Sequence, residues 1–169
     1  MQSTFQIERI TRIIRRWLLF FMATLVICGI TAIPGEQELS MATKFFDENS
    51  LVGSWLNEVF YAVKHTNEKY PYLFYGYDWL AFAHIIMAIA FIGPYKDPVK
   101  NKWVLEFGAT ACLLIVPFAL LAGHWRNIPL WWRLMDCSFG LAGLIPLGIC
   151  YNKINEIERL SRQNSAYEN

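Results

Sequence analysis

Four ionisable side chains interrupt otherwise apolar stretches of this chain: His84, Glu106, Arg133 and Asp136. In a hydrocarbon setting each costs a few kcal/mol, so each needs a partner or a task. Asp136 is followed at four and seven residues by Gly140 and Gly143. Glycines at that spacing share its helical face and let another helix come close. Asp136 is therefore expected to face a helix, and Arg133, three residues earlier, is its nearest charge partner. A structural Arg133–Asp136 pair is the simplest role for both.

His84 sits between Ala81 and Ala88 on a face shared with Tyr77, and small residues at that spacing turn the face inward. Counted from Trp79 and Trp132 at helical rise, His84 and Asp136 both lie roughly 6 to 8 Å deep. One expectation is an outer-half cavity bounded by the two. The plainer one is a histidine hydrogen-bonded to a carboxylate or carbonyl across the bundle. His124 and His65 fall on the same side, so three histidines and a carboxylate share a compartment. That set has the chemistry for a transition metal or haem, but no His-x-x-x-His spacing organises it. The expectation is no metal and no cofactor, with haem or a metal left open. Glu106 lies near the opposite face, within reach of water. Thr110, and the weakly polar stripe of Thr24, Cys28 and Thr31, can bond back to their own helices. Cys28, Cys112, Cys137 and Cys150 form no Cys-x-x-Cys pair and read as packing residues, with a Cys28–Cys137 disulfide left open. No Ser-His-Asp order, phosphate loop or activated cysteine marks an enzyme class, so whether the protein is an enzyme stays undecided.

The elements that must position these groups follow from composition. The 169 residues are 55% hydrophobic and 17% charged, too apolar for a soluble core of this size. The apolar residues gather into four stretches, about 17–35, 79–95, 100–123 and 130–151. The first carries no charge and matches a hydrocarbon layer of roughly 30 Å, and it lacks a signal-peptide cleavage pattern. Gly93 and Pro94 stop the second, and Asp97 ahead of Pro98 caps the third. Pro117 kinks the third, and Asn127 or Ile128 ahead of Pro129 opens the fourth. The fold expected is all-α: one integral membrane four-helix bundle over 1–169, with the segment 36–78 as a long outer loop.

Basic residues set its direction. Arg9, Arg12, Arg15 and Arg16, then Lys96, Lys100 and Lys102, then Lys153, Arg159 and Arg162 all fall on one side. Lys44, Lys64, Lys69, Arg126 and Arg133 are fewer and spread out. Both termini are thus expected in the cytoplasm, in a bacterial inner membrane. The net charge of +1 gives no field for nucleic acid.

Within the outer segment, Leu51, Val52, Trp55, Leu56, Val59, Phe60 and Val63 form one stripe of an amphipathic helix capped by Asn49 or Ser50. A shorter helix bearing Leu39, Ala42, Phe45 and Phe46 precedes it. The run from Tyr70 to Trp79 reads as an interfacial aromatic belt, with Asp78 capping the second span. After 151, Ile154, Ile157 and Leu160 extend the fourth helix two or three turns, and residues 165–169 are expected to fray.

In span order, size and long first loop the chain is similar to the four-helix sterol-isomerase and sigma-2-receptor group. That resemblance implies a cavity with acidic residues and cytoplasmic termini, and transfers no individual residue. Three functions follow. The favoured one is an accessory or binding protein of a membrane assembly, with a protein partner or a second copy of itself. The second binds a lipophilic small molecule, or modifies lipid, in the cavity around His84 and Asp136. The third is an oligomeric transporter.

Overall fold

A computed structural model describes residues 2–167, with side chains described for 5–164. Every regular element among them is helical: α1 Gln2–Ala32, α2 Gly35–Thr43, α3 Leu51–Lys69, a 3-10 turn Pro71–Phe74, α4 Tyr75–Ala90, α5 Ile92–Lys96, α6 Lys102–Trp125 and α7 Leu130–Tyr167. Four stretches are long and apolar enough to cross a membrane: Phe5–Ala32, Pro71–Lys96, Lys102–Trp125 and Leu130–Asn164. These correspond to the four expected from sequence: the first starts earlier and stops three residues sooner, the second extends at both ends, the third is shifted by two residues and the fourth runs on past 151. The arginines of the N-terminal arm belong to α1 itself. Two compact units divide the chain, Met1–Ala23 with Ile89–Asn169, and Thr24–Ala88.

The first unit is built on α6 and α7, which pack extensively against each other. Glycines set their separation. A Cβ on Gly140 would stand 2.6 Å from the Cys112 carbonyl oxygen, and one on Gly143 would stand 2.8 Å from Cys112 Sγ. The close approach expected of that glycine face is thus present. Gly108 makes room in the same way for the Phe91 ring, which also meets Phe21 edge-on at 4.9 Å. Ile14, Leu18, Leu105, Leu147, Cys150 and Ile154 are fully buried around this seam. The Cys150 thiol donates to the Ile14 carbonyl at 3.7 Å.

Proline chemistry relocates two helix ends. A proline ring clashes with the carbonyl four residues back, which kinks or breaks a helix. For Pro94 that carbonyl belongs to Ala90, where α4 stops; Gly93 and Pro94 themselves lie inside α5. The sequence expectation that they form the stop is corrected by one turn. Asp97 does accept from the Lys100 amide at 3.1 Å, but only a single turn follows. Helix α6 then starts at Lys102, with Asn101 as N-cap. Pro117 and Pro146 are accommodated inside α6 and α7.

Between α6 and α7 the chain reverses through a Schellman motif. Asn127 adopts φ 55°, the Ile128 amide donates to Gly123 O at 2.8 Å, and the Asn127 amide donates to His124 O at 3.2 Å. Asn127 therefore ends α6 rather than opening α7, which corrects one of the two openings, Asn127 or Ile128, expected from sequence; α7 itself starts at Leu130. At the other end, α7 is continuous through Tyr167, well beyond the two or three turns past 151 expected from sequence. Glu168 and Asn169 lie outside the described residues. Lys102 fastens this extension: its Nζ donates to Asn155 Oδ1 at 2.6 Å, pairs with Glu158 at 3.1 Å, and lies 4.7 Å from the Tyr151 ring centre.

In the second unit α2 and α3 form a hairpin. Ser50 Oγ accepts from the Gly53 amide at 3.0 Å, so Ser50 is the cap. Leu56 is buried against the hairpin, and Asn67 donates to Glu36 at 2.9 Å across it. Phe45 and Phe46 fall beyond α2 and are exposed, unlike the expected helical stripe. Asp78 lies in the first turn of α4 rather than at its cap, a place where a carboxylate still suits the unpaired amides. Gly29 of α1 lies against Ala81 and His84 of α4, so a Cβ there would stand 2.8 Å from the Ala81 carbonyl oxygen.

Candidate functional site

The six polar candidates separate into distinct surroundings. Arg133 and Asp136 sit near the start of α7, where Gly123 of α6 leaves room for a long side chain. Arg133 takes that room. Its Cγ and Cδ lie over Gly123, and Nη1 donates to the Leu120 carbonyl at 3.3 Å. Its Nε is buried without a partner, as is Nε1 of the adjacent Trp131.

This geometry overturns the expected Arg133–Asp136 pair. Ion pairs among the described residues join Lys102 to Glu158 and Lys153 to Glu156. Residues three apart are neighbours on a helix face, so spacing alone would allow the pair, but the Arg133 side chain is committed elsewhere. Arg133 reaches across to a backbone carbonyl of α6. Asp136 lines a groove between α6 and α7, half-buried and without a hydrogen-bonding partner among the described residues.

That groove has a volume of about 380 Å³. Its walls are Ile115, Phe118 and Ala122 from α6 and Trp132 from α7, so almost all of its surface is apolar. Gly123 deepens it, and Arg126 stands at the end where α6 terminates. Ordinary core packing would have filled this space with another side chain. Instead a carboxylate and a guanidinium share an apolar trough, and neither is engaged by a described residue.

Elsewhere, Glu106 is exposed and borders a second groove of about 400 Å³ between α6 and α7, with Thr110, Leu147, Tyr151 and Asn152 among its walls. Thr110 Oγ1 donates back to Glu106 O at 2.8 Å, as its spacing implies. His124 is exposed in the last turn of α6.

His84 and Tyr77 belong to the second unit. His84 Nδ1 is 2.8 Å from the carbonyl of Leu80 on its own helix. The histidine is thus satisfied locally rather than by a neighbouring helix, a correction to the cross-bundle bond expected from sequence. Tyr77 is 53% exposed and stacks on Phe74 with ring centres 5.3 Å apart, so it does not share an inward face with His84. No three His, Cys, Asp or Glu side chains among the described residues gather as a metal would require. The four cysteines are free thiols, so Cys28 and Cys137 are not bridged.

Sequence reasoning missed Arg126 and Trp132 as companions of Asp136. The signal was the four-residue step from Trp132 to Asp136 on α7 and the 115, 119, 122 spacing on α6, whose face leads to Arg126 at the helix end. Compared with known protein families, with curated proteins and with solved structures, the chain finds no match.

Proposed function

We propose that this protein spans a bilayer four times and binds a lipophilic ligand in the groove between α6 and α7, with Asp136 as the polar anchor. The membrane reading rests on the four long apolar helices and on the large side chains they expose. Phe118, Leu121, Phe139 and Ile145 are each more than half exposed, which acyl chains tolerate and water does not. Basic residues concentrated at the Arg9–Arg16 end of α1, the α5–α6 connection and the end of α7 support cytoplasmic termini.

The ligand reading is carried by one observation: Asp136 has no partner among the described residues in an open apolar groove. A carboxylate kept there at a cost of a few kcal/mol is explained by a ligand that donates to it. An amine or hydroxyl on an aliphatic or polycyclic body fits, with its apolar part along Phe118 and Trp132. The same observation moves this reading ahead of the accessory-protein one, which gave Asp136 and Arg133 only to each other.

The test uses two photoreactive long-chain probes that differ in one group, a diazirine-bearing primary amine and the corresponding methyl-terminated chain. Purified protein in nanodiscs should be labelled by the amine on α6 and α7 near Phe118 and Trp132, with several-fold preference over the methyl probe. Asp136→Asn should abolish that preference while unfolding at the same denaturant concentration. Equal labelling by both probes, or a preference that survives Asp136→Asn, would overturn the ligand site.

A further inference from the structure

On α1, Arg9, Arg12 and Arg16 are exposed and follow one another at three and four residues, within about 60° of one helix face. None of them has an ion pair with a described residue. Their neighbour Arg15 shows the contrast. It points another way and is engaged, donating to Tyr95 O at 3.1 Å and Lys96 O at 3.4 Å.

The basic face continues directly into an apolar one. Leu19 and Phe20, seven and eight residues beyond Arg12, are 56% and 59% exposed, and the Trp17 ring meets Phe20 edge-on at 6.2 Å. Within one turn of rise, roughly 6 Å, the surface changes from guanidinium to hydrocarbon. A glycerophospholipid presents phosphate and then acyl chain in that order and over that distance.

We propose that this stripe of α1 is a binding site for an anionic glycerophospholipid. Arg12 and Arg16 hold its phosphodiester, Arg9 adds charge toward the aqueous side, and Leu19 and Phe20 carry its acyl chains. A guanidinium is suited to this because its planar fork donates twice to one phosphate. The proposal rests on α1 spanning the bilayer and is independent of the α6–α7 groove.

The measurement is electron spin resonance of chain-labelled phosphatidylglycerol and phosphatidylcholine, each in turn, with the full chain in nanodiscs. The immobilised component should favour phosphatidylglycerol roughly fivefold at low salt and decline as ionic strength rises. The triple variant Arg9→Gln, Arg12→Gln, Arg16→Gln should bring the ratio near unity. The corresponding lysine triple should retain part of the preference, and Lys153→Gln with Arg159→Gln should leave it unchanged. Equal immobilisation of both lipids by the wild-type protein, or a preference that survives the glutamine triple, would overturn the site. Stronger displacement by inorganic phosphate than by chloride at equal ionic strength would assign the arginines to a soluble anion and overturn the lipid. No immobilised lipid of either kind would sink the membrane reading itself, a result distinct from loss of selectivity.

Discussion

Single atoms decide whether α6 and α7 meet, and Gly140 and Gly148 of the same helix give opposite forecasts. A methyl at Gly140 would press on the Cys112 backbone carbonyl, which cannot move without separating the helices. Gly140→Ala should therefore destabilise the protein by about 1–3 kcal/mol, as overpacking does. Gly148 has nothing within 4 Å of its notional Cβ. Gly148→Ala should be neutral or stabilise by about 0.5–1 kcal/mol through helix propensity alone. Reversible unfolding in mixed micelles measures both, and equal costs would show that the seam is looser than described. Gly140 and Gly143 were legible in the sequence because their spacing from Asp136 fixes a helical face. The charge pairing was not. Proximity along a helix left Arg133 and Asp136 as natural partners, and only the room above Gly123 reveals that Arg133 turns to Leu120 O instead. His84 shows the same limit: the carbonyl four residues back on its own helix was as available to it as to Thr110, and spacing could not tell that bond from one across the bundle.

Helix ends are where sequence signals compete, and the reversal between α6 and α7 is the clearest instance. His124-Trp125-Arg126-Asn127-Ile128-Pro129 carries both an asparagine able to end a helix and a proline able to start one. Read forward from the proline, Asn127 opens α7. The positive φ shows that it closes α6, because asparagine tolerates the left-handed region that β-branched residues avoid. Asn127→Gly should leave stability unchanged or slightly raised. Asn127→Val should lower it by about 1–2 kcal/mol. Thermal unfolding followed by circular dichroism distinguishes them, and a harmless valine would mean that the turn can take another conformation. The cap of α3 was readable to within one residue, Asn49 or Ser50, and the Gly53 amide on Ser50 Oγ decides it, whereas the stop at Ala90 lay one turn upstream of the proline that imposes it.

Across the whole molecule, segregation of apolar residues made the all-helical class and all four long helices readable before any coordinate. Length and composition carry that much because a segment that spans a bilayer must satisfy its own backbone, which leaves helix as the form open to long apolar stretches. Their direction depends on a different quantity, the placement of lysine and arginine, and it is testable without knowing the ligand. Glu8, Glu68 and Arg162 are exposed side chains on α1, α3 and α7. Each can be replaced singly by cysteine after Cys28, Cys112, Cys137 and Cys150 are changed to alanine. If basic segments stay in the cytoplasm, a membrane-impermeant maleimide added to intact cells should label Glu68→Cys and spare Glu8→Cys and Arg162→Cys until the cells are permeabilised. Labelling of Glu8→Cys and Arg162→Cys from outside, with Glu68→Cys protected, would invert the protein. The Asp136 groove would then lie toward the cytoplasm and Arg12 and Arg16 in the opposite leaflet. Opposite outcomes for Glu8→Cys and Arg162→Cys would mean an odd number of crossings, and one of the four helices would have to lie outside the bilayer.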